Sequence, residues 1–297
     1  MVAARAPVDE ALRSTARRLA GLGAAAPRAQ QARQASHDRA VSESFARFEE
    51  RNGQAMLRWS AEQLRPADGA TVFYPFAGPD LVTARRFYPA AARYVLLALQ
   101  DGGPPPALDA LPDDDLDATL DLYERVFDAF ARRGFFVTAQ MGAGYRTPRA
   151  ARGVTGVLLA FAEREGLAVE AIEPVRIGPR GVEALDAGRR LPEAWSSVRL
   201  HLRRGDGAAV VVDYLRVDLS DAGLGADPDA LGLVSTLARG PTVLKAASHL
   251  LQQRGFTRLR DLVLAGAPQL VQDETHLHKG KPVSTDEVEL ARWRVTR

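Results

Sequence analysis

Hydrophobic and polar positions fall into blocks along the chain, and the period of each block predicts its element. Residues 8–22 place Leu12, Ala16, Leu19 and Leu22 at helical spacing. Residues 30–63 carry Val41, Phe45, Phe48, Met56 and Trp59 among Arg, Glu, Gln and Ser, a second helical stretch interrupted at Asn52-Gly53. Residues 71–76 are β-branched and aromatic and stop at Ala77-Gly78-Pro79-Asp80, which reads as a strand followed by a tight turn. Residues 81–87 leave room for a short helix that ends ahead of Pro89. Residues 94–99 are an almost unbroken apolar run, the pattern of a parallel strand covered on both faces. This strand–turn–helix–strand unit over residues 71–100 is the part around which the remaining chain is organised. Units of this kind open sheets that bind ligands over their carboxyl edge.

The alternation continues downstream. Residues 116–133 predict a helix with Asp113, Asp114, Asp115 and Asp117 at its start and Arg132 and Arg133 at its end, matching the helix dipole. Its buried stripe is Leu116, Leu120, Tyr123, Val126, Phe127 and Phe130, and Gly134 closes it. A strand is expected at 135–140, a Gly/Arg/Pro loop at 141–152, a helix at 154–164 and a strand at 167–177. Residues 197–203 and 208–218 are strand runs joined by Arg204-Gly205-Asp206-Gly207, a hairpin signal. Residues 221–228 read as a loop, 231–237 and 243–253 as helices broken at Gly240-Pro241-Thr242, 257–264 as a helix and 270–272 as a short extended piece. The expected fold is α/β: a Rossmann-like mixed sheet flanked by helices, with a late antiparallel hairpin and an N-terminal helical arm. The corresponding division is an arm over residues 1–66, an α/β domain over 67–274 and a polar tail over 275–297.

Composition narrows the function classes. The chain has 297 residues, of which 46% are apolar, enough for a sizeable core. No apolar run reaches the length of a membrane span. The first residues lack the apolar core of a signal peptide, so the chain as it stands reads as cytoplasmic, and as an exported or lipoprotein product if such a signal has been removed. Without cysteine there is no disulfide, thiolate metal site or cysteine nucleophile. The net charge is only +2 and charges of both signs are interspersed, so nucleic acid is not an expected partner. Only three of the 39 basic residues are lysines, at 245, 279 and 281; with abundant alanine this fits a GC-rich bacterial genome and draws attention to Lys245.

Three groups could carry chemistry. Tyr74, Phe76, Gly78 and Asp80 lie in the first turn, where Gly78 permits close backbone approach to a small ligand and Asp80 could cap the following helix. Lys245, Ser248 and His249 share one face of the helix predicted over 243–253, so the lysine could activate a nucleophile or hold an anion. Asp273, His276 and His278, with Glu274, combine imidazole and carboxylate in an order that suits a first-row metal. His37 and His201 are lone histidines to which no role is assigned. No Gly-x-Ser-x-Gly elbow, phosphate-binding Gly-rich loop or Gly-x-Gly-x-x-Gly motif occurs.

Residues 72–80, VFYPFAGPD, together with residues 240–251, GPTVLKAASHLL, resemble a family of uncharacterised bacterial proteins. That family carries a Tyr-Pro-Phe-Ser-Gly-Pro-Asp motif and a Thr-Tyr-Leu-Lys-Ala-Ala-Ser-Tyr-Leu motif, and the likeness spans about residues 71–273. The resemblance implies no particular reaction. Members with export or lipoprotein signals make the cell envelope the alternative location. The first motif also resembles, remotely, the cofactor turn of S-adenosylmethionine-dependent methyltransferases. Tyr74 stands where those enzymes have an acid, Pro79 where they have a small residue, and Gln100-Asp101 where the second strand would end in an acid. Two function classes follow: a methyltransferase-like enzyme with a small-ligand pocket, and a non-catalytic envelope or protein-interaction protein that has lost the cofactor site.

Overall fold

The computed structural model describes residues 8–23, 25–133, 152–185, 195–244, 251, 253–273 and 293–296. Its centre is a single mixed sheet. The strands are β1 (Thr71–Tyr74), β2 (Arg93–Ala98), β3 (Leu167–Gly178), β4 (Gly181–Ala184), β5 (Ser197–Arg204), β6 (Ala209–Arg216), β7 (Thr242–Leu244), β8 (Leu270–Asp273) and β9 (Trp293–Thr296). They run in the order β4-β3-β5-β6-β2-β1-β7-β8-β9. The five consecutive strands β6, β2, β1, β7 and β8 are parallel. β4, β3 and β5 extend the sheet on one side by antiparallel pairing, and β9 closes the other side antiparallel to β8. The fold is therefore α/β and consistent with a Rossmann-like sheet.

Burial explains the continuous apolar runs. Val72, Phe73 and Tyr74 of β1 and Tyr94, Val95, Leu96 and Leu97 of β2 are all buried, because helices cover both faces of the parallel centre. One face carries α1 (Glu10–Leu19), α2 (Gln31–Phe48), α3 (Gln54–Gln63), α4 (Leu81–Phe87), α5 (Asp113–Arg133) and α6 (Thr155–Arg164). The opposite face carries α7 (Asp221–Ala226), α8 (Pro228–Leu237) and α9 (Thr257–Gly266). Side-chain caps set several starts: Asp9 accepts the Leu12 N–H at 3.0 Å, Ser220 that of Gly223 at 3.0 Å and Asp227 that of Ala230 at 2.9 Å. Pro228 occupies the first turn of α8, where a missing N–H costs nothing.

The N-terminal helices are tied to one another and to the helices packed beside them by charged side chains that are largely buried. Arg18 is almost wholly buried; it donates to Gln34 at 2.9 Å and Gln30 at 2.8 Å and pairs with Asp109 at 2.5 Å. Arg86 of α4 joins Glu49 to Glu165 beyond the end of α6, at 2.5 and 2.7 Å. Arg164 donates to the Ala20 and Gly21 carbonyls beyond α1 at 2.6 and 3.1 Å, so a cation sits where the dipole favours one. The interruption expected at Asn52-Gly53 takes the form of a π-helical turn, Glu49–Gly53, between α2 and α3.

Four expectations need correction or restriction. Thr242, Val243 and Leu244 form a central strand, so the helix expected over 243–253 does not begin there. A three-residue strand is too short to show a period, and its partners Phe73 and Leu270 are distant in sequence. Residues 221–226, expected as loop, form the short helix α7 under the Ser220 cap. The four-residue edge strands β4 and β9 are additions to the expected sheet. The strand expected at 135–140 lies outside the described residues.

Candidate functional site

The sheet order makes β1 the point where the chain turns back: β2 lies on one side of it and β7, far later in sequence, on the other. Ligand crevices in open α/β sheets form outside the carboxyl ends of strands at such a switch point. β1 ends there in Tyr74, and the following turn is sharply bent. Phe76 has φ +59° and Gly78 φ +56°, so two residues of the turn are left-handed. For glycine this is free; for phenylalanine it costs on the order of 1 kcal/mol and persists because neighbours over-determine it. Here the Ala77 N–H donates to the Leu97 carbonyl at 2.9 Å, fixing the turn to the end of β2. The Phe76 ring stands edge-on to Phe256, with centroids 5.4 Å apart.

Asp80 completes the turn as the N-cap of α4. One carboxylate oxygen accepts the Thr83 N–H at 3.1 Å; the other accepts the Thr83 hydroxyl at 2.8 Å and the Tyr74 hydroxyl at 3.1 Å. Tyr74 and Asp80 are both buried. The tyrosine that replaces an acid at the end of β1 thus bonds the acid that opens the next helix. The structure brings Tyr74, Phe76, Gly78 and Asp80 into one turn. β7 ends at Leu244 beside β1, at the same edge of the sheet. Lys245, Ser248 and His249 lie outside the described residues. At the end of β2, Asp101 pairs with Arg216 at 3.1 Å, and the Tyr214 hydroxyl donates to the Gln100 carbonyl at 3.0 Å.

Of the expected metal group, Asp273 is the last residue of β8, opposite Trp293 of β9, while His276 and His278 lie outside the described residues. Among the described residues, no three His, Asp or Glu side chains are grouped to hold a metal ion. The two lone histidines have partners. His37 is fully buried between Glu124, 3.1 Å from Nδ1, and the Leu19 carbonyl, 3.1 Å from Nε2. Nε2 of His201 lies 3.0 Å from Glu173 on the neighbouring strand. Both contacts cross between elements, which sequence spacing does not reveal.

A second feature escaped the sequence pattern altogether. Asp213 of β6 is fully buried, and its carboxylate accepts from two arginines. Arg93 of β2 donates through Nε at 2.7 Å and also through Nη2; Arg199 of β5 donates through Nε at 2.6 Å and Nη2 at 3.3 Å. Arg199 stands directly opposite both Asp213 and Glu173 in the ladder, and His201 opposite Val211, the partner of Arg93. These side chains therefore share the sheet face that α8 covers only in part. Of these, Arg93 and Arg199 line a cleft of about 630 Å³ beside α8 and beneath the β3–β4 turn, within the range of small-molecule sites. Each is a solitary charge in an alternating strand, which reads as an ordinary solvent-facing position.

Elsewhere, burial raises the Glu165 carboxyl despite its bonds to Arg86, and burial likewise raises Glu163, although the Val169 N–H opposes it. Both sit among the N-terminal helices, away from either feature. Compared with protein-family models, with curated proteins and with solved structures, the chain matches none.

Proposed function

We propose that the protein binds a small ligand above the carboxyl edge of its sheet, at the switch point between β1 and β7. The supporting observation is the turn after β1: a left-handed Phe76 and a left-handed Gly78 held against the end of β2 at that edge. Strain of this kind accumulates at ligand clamps. Lys245 follows β7 directly and is the cation available in the local sequence, with Ser248 and His249 as further polar groups.

The enzyme form of this reading is a divergent methyltransferase-like protein. S-adenosylmethionine would supply a methyl group there, but the residues present fit it poorly. Pro79 removes a backbone donor from the turn, Asp80 and Tyr74 bond one another, and Asp101 is paired with Arg216. The same closed set of bonds favours the second reading, a non-catalytic envelope or interaction protein that retains the fold.

A thermal-shift screen of the purified protein against S-adenosylmethionine, nucleotides and divalent metals separates them. A ligand at a hundred times its Kd adds about 2.7 kcal/mol, a readily visible shift. The ligand reading expects a shift that Gly78→Arg and Lys245→Ala abolish while circular dichroism stays native. Flat melting curves throughout, or shifts untouched by both variants, would sink it in favour of the non-catalytic protein.

A further inference from the structure

The cleft between α8 and the β3–β4 turn lies at the other end of the parallel strands. Thr71 and Arg93 are the first residues of β1 and β2, and Gly240 precedes β7 by two residues; all three line it. With Arg199 they form the floor, while residues 178–182 and one side of α8 form the walls. The arginines are not simply neutralised surface charge. Asp213 grips both by the same edge, Nε with Nη2, so each guanidinium is held in plane and its Nη1 corner stays clear of the carboxylate. Arg93 Nη1 makes no hydrogen bond among the described residues, and that of Arg199 is only within 3.9 Å of Glu173. Arg93 keeps 31% of its side-chain surface and Arg199 18%, so both remain reachable by a ligand.

A buried carboxylate shared by two arginines is an expensive way to stabilise a sheet, since apolar residues of similar volume do as well or better. Its geometric effect is specific: it orients two forked donors toward one space. At the rim Arg180 is largely exposed and paired with Glu183 at 3.3 Å, and Asp229 on α8 is the acid among the lining residues. The walls also carry Val182, Leu233 and Leu237, with Gly232 opening onto the space. We infer that this cleft is a binding site for a small oxyanion ligand, a phosphate- or carboxylate-bearing molecule whose anionic head is taken by Arg93 and Arg199. Asp213 is the positioning residue for both.

The site is separate from the turn at residues 74–80, and the test keeps them separate. Calorimetric titration uses inorganic phosphate, glycerol 3-phosphate and citrate as probes, with glycerol as the neutral control. Saturable binding of an oxyanion probe but not of glycerol is expected, and the preferred probe tells phosphate from carboxylate. Gly232→Phe is the decisive variant: Gly232 lines the cleft and a Cβ there meets nothing within 4 Å, so a side chain can leave the helix at this point and its ring is expected to fill the cleft. It should abolish binding without lowering the melting temperature. Arg93→Gln, which leaves Asp213 its bonds to Arg199, should weaken binding about tenfold or more, the worth of a charged hydrogen bond. Gly78→Arg should leave binding intact. Equal affinity in wild type, Gly232→Phe and Arg93→Gln, or no binding by any oxyanion probe, would overturn the site.

Discussion

At the scale of single residues, buried polar groups here are held by partners from other elements, and their protonation carries stability. Glu124 on α5 is the clearest case. Its hydrogen bond to His37 holds the carboxyl below its ordinary value of 4.5; burial opposes this, and Arg33 adds to it. A depressed carboxyl contributes stability above its unfolded-state value and loses it as pH falls through its folded-state value. Urea unfolding of wild type and Glu124→Gln across pH should therefore show the widest gap near neutrality, closing as pH falls below about 4.5. A gap constant with pH would mean that the carboxylate charge is irrelevant. Glu165 has the opposite sign: burial raises it, so its ionisation weakens the fold as pH rises. None of this is legible locally. Arg18, His37 and Arg164 look like solvated members of helical polar faces, and only tertiary packing reveals their partners.

At the scale of elements, what could be read in the sequence was what local chemistry determines. The β1–α4–β2 unit, the hairpin of β5 and β6 and the helix α5 each carry their own signal of period, cap or turn. Gly207, with φ +86°, supplies the left-handed residue that the hairpin turn requires. Asp80 realises the helix cap that its position after Gly78-Pro79 predicted. β7 departs from the expected helix because nothing within three residues distinguishes a strand from the first turn of a helix. The Arg93–Asp213–Arg199 group was invisible because it assembles across three strands. Helix packing offers a direct test of the same kind of non-local constraint. A Cβ on Gly156 of α6 would come within 1.9 Å of the Tyr123 hydroxyl and 2.7 Å of its ring. Gly156→Ala should cost about 1–3 kcal/mol by overpacking, although alanine is the better helix former. Adding Tyr123→Phe should recover part of that loss in a double-mutant cycle. Additive losses would show that the two helices do not meet at this point.

At the scale of the whole molecule, the helices of residues 10–63 form much of one layer over the sheet. They contribute Leu12, Leu19, Val41, Phe45, Phe48 and Met56 to the core cluster that includes Val72, Tyr94 and Leu96. Removing residues 1–66 would expose that face and leave Glu165 without Glu49 as a co-partner of Arg86. The truncated chain is expected to aggregate or to lose cooperative melting; a soluble fragment with a sharp transition would show that the layer is dispensable. The sheet order has a further consequence, in time instead of space. β1 meets β2 within some twenty residues, but its other neighbour begins at Thr242, opposite Phe73, across most of the chain. During synthesis the middle strand of the parallel set is therefore an open edge until that late segment has left the ribosome. Assembly must wait for one long-range closure, a slow step for any chain whose central pairing is its most distant.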